Sequence, residues 1–388
     1  MSRQILSGAQ IFDGEALLQN HVLVIDGEVI AGILPESRAP AGPRSHVAGG
    51  TIAPAFLDLQ VKGGGGVMVD AATTFETLRV ICDAHLRLGS AGILPTLITD
   101  TPDATAQVIA AGRKAAEARL PGFLGLHLEG PHLDPRRKGA HDPALIRPMT
   151  AEDLARLCDA ARHLPALMLT LAPEAASPEQ IARLHQAGII VSLGHSDCSY
   201  EVACAAIAAG ARCFTHLFNA MSQLGNRDPG MVGAALDADV GMGLIADGIH
   251  VHPSVMRIAV AARRGGLFLI SDCMAFAASD LTEITLNNRQ ILRHDGRLTL
   301  TDGTLAGADL TLPDAVKVMI ERVGVPAAEV LGMVTATPAR LIGAEGAYGH
   351  LRAGRSASFV HLDANWRLKA AWAGGRPLNI YRPGARRG

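Results

Sequence analysis

Three short stretches of the sequence end an apolar run on a side chain that can bind a metal ion. "GLHLEGPHLDPRRKGAH" (Gly125–His141) brings Glu129 to the end of its run, "VSLGHS" (Val191–Ser196) brings His195, and "CFTHLFNAM" (Cys213–Met221) brings His216. Two neutral imidazoles and one carboxylate form an N2O donor set suited to Zn2+, with a fourth position left for water. A fourth stretch, "LISDCMAF" (Leu269–Phe276), ends its run on Asp272. A carboxylate there could take a proton from a water acidified to a pKa of about 7 by the metal, and pass it to a leaving amine. Singly, each residue reads as well as a core histidine or a helix-capping aspartate. Together, at successive strand ends, they read as a hydrolytic metal site.

Such a site needs elements that converge. Eight apolar runs read as strands: Ile52–Val61, Ala91–Thr99, Phe123–Glu129, Leu167–Pro173, Ile189–His195, Cys213–Phe218, Met242–Asp247 and Leu267–Asp272. Amphipathic segments lie between them, among them Phe75–Leu88, Ala151–Arg162, Pro178–Ala187 and Ser254–Arg264. Near-continuous apolar strands alternating with helices predict a parallel sheet covered on both faces. Eight units in one region predict an α/β fold, a (β/α)8 TIM-like barrel. An open doubly wound sheet competes, but "KGGGGV" (Lys62–Val67) is not the Gly-x-Gly-x-x-Gly turn such a sheet usually carries. Gln60, Glu129, Glu174, His195, His216, Asp247 and Asp272 all fall at or near the C-terminal end of a proposed strand, the barrel face where active sites lie. Residues 1–50 and the stretch from about Gly346 instead alternate short apolar runs with turns. They predict a small β-sandwich domain built from both termini, residues 1–50 plus 345–388, around a barrel of residues 51–344.

Composition bounds the partners. Of 388 residues 48% are hydrophobic and 19% charged, with a formal net charge of −2. No global field attracts nucleic acid or an anionic membrane, so an anionic ligand needs local groups. Arg227 in "GNRDPGMVGAAL" could clamp one, although spacing alone favours a solvated loop arginine. "DGTLAGADLTLPDAV" (Asp302–Val316) reads as a loop entering a helix. Six scattered cysteines without a CxxC pair suit reduced thiols in a cytoplasmic protein. No signal peptide and no membrane span are expected.

With these motifs in place, the chain resembles the N-acetylglucosamine-6-phosphate deacetylase family of the amidohydrolase superfamily. The likeness rests on "HLEGP", "RKGAH", "GHS", "THLFNAM", "DPGMVGA", "DGIH", "SDCM", "DGTLAGADLT" and "TATPARLIG" and spans nearly the whole chain. It implies a barrel with a two-terminus sandwich, and one divalent ion per subunit on Glu129, His195 and His216. Zn2+ is the first expectation for that ion, with Fe2+, Co2+ or Mn2+ as alternatives. It implies Asp272 as general base and then acid, and His141 as the group polarising the acetyl carbonyl. Ala140, Asn219, Ala220, Asp247 and Leu305, Ala306 and Gly307 would bind the sugar phosphate. Arg227 and His250 would hold its 6-phosphate from the partner subunit of a homodimer. Amino-sugar 6-phosphate and acetate would be the products.

The sequence departs from the wider superfamily on strand one. Many members have His-x-His there, and single-metal deacetylases commonly Gln-x-Asn, but this chain has Gln60-Val61-Lys62. A charged Lys62 is a donor only and would repel a cation. Strand four ends in Glu174 rather than a lysine that could bridge two metals. One metal is therefore expected, with Gln60 as a weak second-metal ligand or a structural residue. Those absences also disfavour a dihydroorotase-like cyclic-amide hydrolase. The alternatives are a deacetylase of N-acetylgalactosamine 6-phosphate or another acetamido sugar, and a non-catalytic sugar-phosphate-binding homologue.

Overall fold

The computed structural model describes residues 3–286 and 289–382. The apolar runs become strands β1 (Phe56–Val61), β2 (Ser90–Ile98), β3 (Leu126–Glu129), β4 (Leu167–Leu171), β5 (Ile190–Leu193), β6 (Cys213–Phe214), β7 (Gly241–Leu244) and β8 (Leu267–Leu269). They form one sheet in chain order with every pairing parallel. A parallel bridge between Val61 and Cys273 closes it into a barrel, where Lys62 N–H donates to Cys273 O at 2.9 Å and Asp272 N–H to Gln60 O at 3.1 Å. Every residue of β1, β3, β4 and β5 is buried, which is why those strands read as unbroken apolar runs.

Helices return the chain from each strand to the next, and local chemistry sets their starts. Phe75–Arg87, Ala151–Ala161 and Pro178–Gln186 begin at capping boxes built on Thr74, Thr150 and Ser177. In each, the cap side chain accepts a backbone N–H three residues on, and that residue's side chain accepts the cap's own N–H. The expected helix Ser254–Arg264 is Pro253–Ala262, with proline at its first position. All six cysteines are free.

The terminal segments form two sheets. Arg3–Ser7, His21–Asp26, Val29–Pro35 and Arg44–His46 make one, and Gln10–Phe12, Leu17–Leu18, Thr51–Pro54, Phe359–Leu362, Leu368–Ala373 and Arg376–Pro377 the other. Leu6, Leu23 and Ile25 of the first pack with Ile11, Ile52 and Phe359 of the second in one buried cluster. The expected single strand Ile52–Val61 is in fact two. Thr51–Pro54 pairs with Phe359–Leu362 in the terminal sheet, and the barrel strand starts only at Phe56. Pro54, which has no N–H to donate, ends the first ladder.

A second departure lies after β8. Glu283–Leu286, Arg289–His294, Arg297–Leu300 and Leu305–Ala308 form an antiparallel sheet over the barrel mouth, with Met274, Phe276, Leu286, Ile291, Leu298 and Ala306 as its core. Leu305–Ala308, expected as loop, is its last strand, while the helix after it, Leu312–Val318, starts at Thr311 as expected.

Polar groups also run through the barrel interior. His127 bonds Leu59 O and Thr170 Oγ1, and Thr170, Thr215 and Ser192 continue the chain of hydroxyls at 2.6 Å spacing. At the seam, the Asp58 carboxylate accepts the N–H of Ser271 and of Gln60, tying β1 to the segment after β8. Burial pushes the Asp58 carboxyl up to about 7, against the lowering effect of its hydrogen bonds from Ser271. A carboxyl whose pKa is higher folded than unfolded binds its proton better in the native state, so stability falls as pH rises from about 4 to about 7. The slope is up to about 1.4 kcal/mol per pH unit. Asp58→Asn keeps an acceptor at the seam without the titration. Its denaturant midpoint should vary less than that of the wild type across this window, and parallel curves would refute the assignment.

Candidate metal centre

The last residue of β3, the turns after β5 and β6 and the seam after β8 deliver Glu129, His195, His216 and Asp272 to one mouth of the barrel, all buried. His195, His216 and Asp272 do so in the left-handed backbone region, at φ of 49°, 31° and 48°. Non-glycine residues adopt it at a cost of about 1–3 kcal/mol each, and such positions concentrate at functional sites.

The donor atoms meet closely. Glu129 Oε1 lies 3.1 Å from His195 Nε2 and 3.1 Å from His216 Nε2, and the two nitrogens are 3.0 Å apart. His195 donates from Nδ1 to Arg137 O at 2.8 Å, so its Nε2 presents a lone pair to the other two atoms. His216 Nδ1 is buried without a hydrogen-bond partner, as are Glu129 Oε2 and Asp272 Oδ1. Three electron-pair donors facing one another in a buried site fit a cation at their centre. Around a tetrahedral Zn2+ with bonds near 2.05 Å, ligand atoms stand roughly 3.3 Å apart, close to the spacing seen.

His141 is the other nitrogen in reach. With Glu129 and His195 it offers donor atoms within 4.8 Å of one another. Its hydrogen bonds give it a different task. His141 Nδ1 accepts the backbone N–H of Thr99 at 3.2 Å and sits 2.7 Å from Thr99 Oγ1, so the ring proton lies on Nε2, 3.9 Å from Glu129 Oε1. Burial and the neighbouring His195 hold this imidazole well below its usual pKa, keeping it a neutral N–H donor. His216 Nε2 stands nearer to Glu129 Oε1, at 3.1 Å, than His141 Nε2 does at 3.9 Å.

Lys62 reaches the same place, with Nζ 2.9 Å from Asp272 Oδ1 and 3.5 Å from Glu129 Oε2. Burial alone would lower its pKa, but the two carboxylates outweigh this and hold the ammonium charged. Glu129 answers in kind. Burial pushes it up, yet the charge of Lys62 brings it well below the usual carboxylate range. Gln60 Nε2 donates to Glu129 Oε1 at 3.2 Å, a structural contact that aims the carboxylate.

A cleft of about 260 Å3 opens above these residues. Its lining includes Ala140, His141, Asn219, Ala220, His250 and Leu305–Gly307, all of them expected to contact substrate. Gly307, at φ +67°, lies where a Cβ would meet Asp272 O at 2.9 Å, so that position needs glycine. Asp247 stands behind His250, accepting its Nδ1–H at 2.6 Å and both the Ile249 and His250 N–H groups. Burial pushes the Asp247 carboxyl up, but His250 outweighs it and the net shift is down. His250 lines the cleft of its own chain, fixed by the Asp247 turn. Arg227 is exposed on the 222–229 loop and is not among the cleft residues of its own chain. Thr99, Met274 and Leu286 were not anticipated. Thr99 stands at a strand end, where the same rule that found Glu129 could have found it.

Residues 51–382 match the amidohydrolase family, and residues 5–52 match the NagA composite domain. The chain belongs to the amidohydrolase family. It is 36% identical over 380 residues to N-acetylgalactosamine-6-phosphate deacetylase of Shewanella sp. strain ANA-3, covering 96% of this chain and 95% of that one. It is 34% identical to N-acetylglucosamine-6-phosphate deacetylase of Haemophilus influenzae, over 91% of this chain and 93% of the relative. The crystal structure of N-acetylglucosamine-6-phosphate deacetylase from Pasteurella multocida superimposes with a TM-score of 0.92 at 32% identity, covering 97% of this chain and 99% of that one. Membership makes the chain a metal-dependent hydrolase of amide bonds.

An ion bound only by the native state stabilises it, by about 2.7 kcal/mol at a hundred times its Kd. Chelation should therefore lower the Tm of the wild type. Glu129→Gln should bind little metal and show no such drop, and an equal drop in both would place the ion elsewhere.

Proposed function

We propose that this protein removes the acetyl group from N-acetyl-D-glucosamine 6-phosphate, releasing acetate and D-glucosamine 6-phosphate in amino-sugar catabolism or recycling. The observation that carries the reading is the convergence of Glu129 Oε1, His195 Nε2 and His216 Nε2 within 3.1 Å, in a cleft that Asp272 and His141 also line. Relatives bearing that activity in their names match nearly the whole chain.

Glu129, His195 and His216 would hold the divalent ion, with Zn2+ favoured by the N2O donor set. Bound there, the ion supplies Lewis acidity, polarising a carbonyl and acidifying water to a pKa of about 7. Asp272 takes the proton of the attacking water. His141, with its proton fixed on Nε2 by Thr99, donates to the acetyl oxygen as negative charge develops on it. The amide C–N bond then breaks, and Asp272 returns the proton to the departing nitrogen. Asn219, Ala220 and Leu305–Gly307 bound the sugar, and the sheet over the mouth keeps bulk water from the reacting carbon. His250, held by Asp247, faces the cleft as a group that would bind the phosphate.

Arg227 would complete the phosphate site from the partner subunit of a homodimer. Its exposure outside its own cleft supports this, as does Leu224, a large apolar side chain 55% exposed on the same loop. No described helix is long and apolar enough to cross a membrane, and a cytoplasmic enzyme is the reading that fits free thiols.

The relatives include deacetylases of both epimers, so the substrate test is comparative. Acetate release from N-acetylglucosamine 6-phosphate should exceed that from the galactosamine epimer at equal metal loading. Preference for the second would move the substrate, and no release from either would favour the non-catalytic sugar-phosphate-binding reading. Asp272→Asn should keep its metal and lose about 10³-fold or more in kcat. Arg227→Ala should raise KM, and mixing its chains with Asp272→Asn chains should restore activity, because one site of the hybrid then has both residues. Failure of the mixture to recover would return Arg227 to its own chain.

A further inference from the structure

The site holds one cation of its own. Lys62 lies at the end of β1, two residues after Gln60, and its side chain is only 9% exposed. Its ammonium stands between the one oxygen of Glu129 that does not face His195 and His216 and one oxygen of Asp272. Neither oxygen accepts a directed hydrogen bond from any described group, so the charge of Lys62 is what compensates them. Two buried carboxylate oxygens beside a Gln60 side chain are hard oxygen donors of the kind that would otherwise gather a second divalent ion.

We propose that the Lys62 ammonium stands in the second-cation position of this barrel mouth, so that the chain takes a single divalent ion and Lys62 acts as the positioning residue for Asp272. The inference rests on the metal-dependent reading above. Lys62 does not ligate the ion and need not touch substrate. It excludes a competitor by charge and holds the Asp272 carboxylate at 2.9 Å in the cleft that His195 and His216 also line. A strand-one residue that might be read as a lost metal ligand then becomes a replacement for the metal itself. Because its cation is covalently tethered, the Asp272 carboxylate is oriented whether or not the ion on Glu129, His195 and His216 is loaded.

Metal content per chain, measured by elemental analysis after equilibration with rising Zn2+ or Mn2+, tests the first half without any variant. Wild type should saturate at one ion. Lys62→His replaces the ammonium with the imidazole that His-x-His members carry at this position and should rise towards two over the same range. A wild type that takes two ions overturns the proposal. A wild type that takes none overturns the metal-dependent reading together with it, a result distinguishable from two. Lys62→Met, which keeps the stem and removes the charge, tests the second half. It should lose at least tenfold in kcat with KM within about threefold and with its first ion retained, and Lys62→Arg should recover part of the loss. Wild-type kcat in Lys62→Met overturns the positioning role.

Discussion

A fully buried carboxylate has to be compensated, and much of the barrel mouth can be understood from that requirement. Glu129 is completely buried at the end of β3. An isolated ionised carboxylate in such surroundings carries a desolvation penalty of several kcal/mol even after relaxation. Here two neighbours reduce it: Gln60 donates to one oxygen and the ammonium of Lys62 faces the other, while two imidazoles converge on the first with a site suited to a cation between them. The same arrangement that tolerates the charge leaves lone pairs aimed at a common centre. Structural necessity and metal affinity are two results of one packing problem.

The precision of that centre comes from groups at one remove. The Arg137 carbonyl fixes the His195 tautomer, and the Thr99 amide fixes that of His141, so two chemically identical rings meet the site as acceptor and donor. Both partners belong to backbone, which cannot rotate away. The left-handed conformations at His195, His216 and Asp272 are sustained because the strands beneath them are closed by the Asp58 seam and packed on both faces. Rigid scaffold and strained termini are complementary: the first makes the second affordable.

How much of this was legible follows from what burial does to a sequence. Parallel strands covered on both faces read as unbroken apolar runs, so the eight strands and their order could be read directly. Helix starts were legible because Thr74, Thr150 and Ser177 announce themselves with a partner three residues on. Glu129, His195, His216 and Asp272 stood out as polar residues ending apolar runs. The layer of His127, Thr170, Ser192 and Thr215 did not, because a polar residue inside an apolar run has no signature until its partners on other strands are known. The sheet of 283–308 was missed because its edge strands are half exposed and resemble loop. Lys62 was visible as a departure, but a flexible four-carbon stem does not reveal where its charge ends up. The place of His250 in the cleft of its own chain was not legible, because the turn that aims it is set by Asp247, three residues before it in the chain.

The ammonium between Glu129 and Asp272 also changes what this protein asks of its surroundings. An ion bound from solution is subject to competition, to buffering and to scarcity, whereas a lysine is supplied with every chain that is translated. A mouth that carries a cation on a side chain needs no ion from the free metal pool to place a charge there. It keeps that charge beside Asp272 when the pool runs low. It also cannot be mismetallated at that position, since no wrong ion can be exchanged for a covalently attached one.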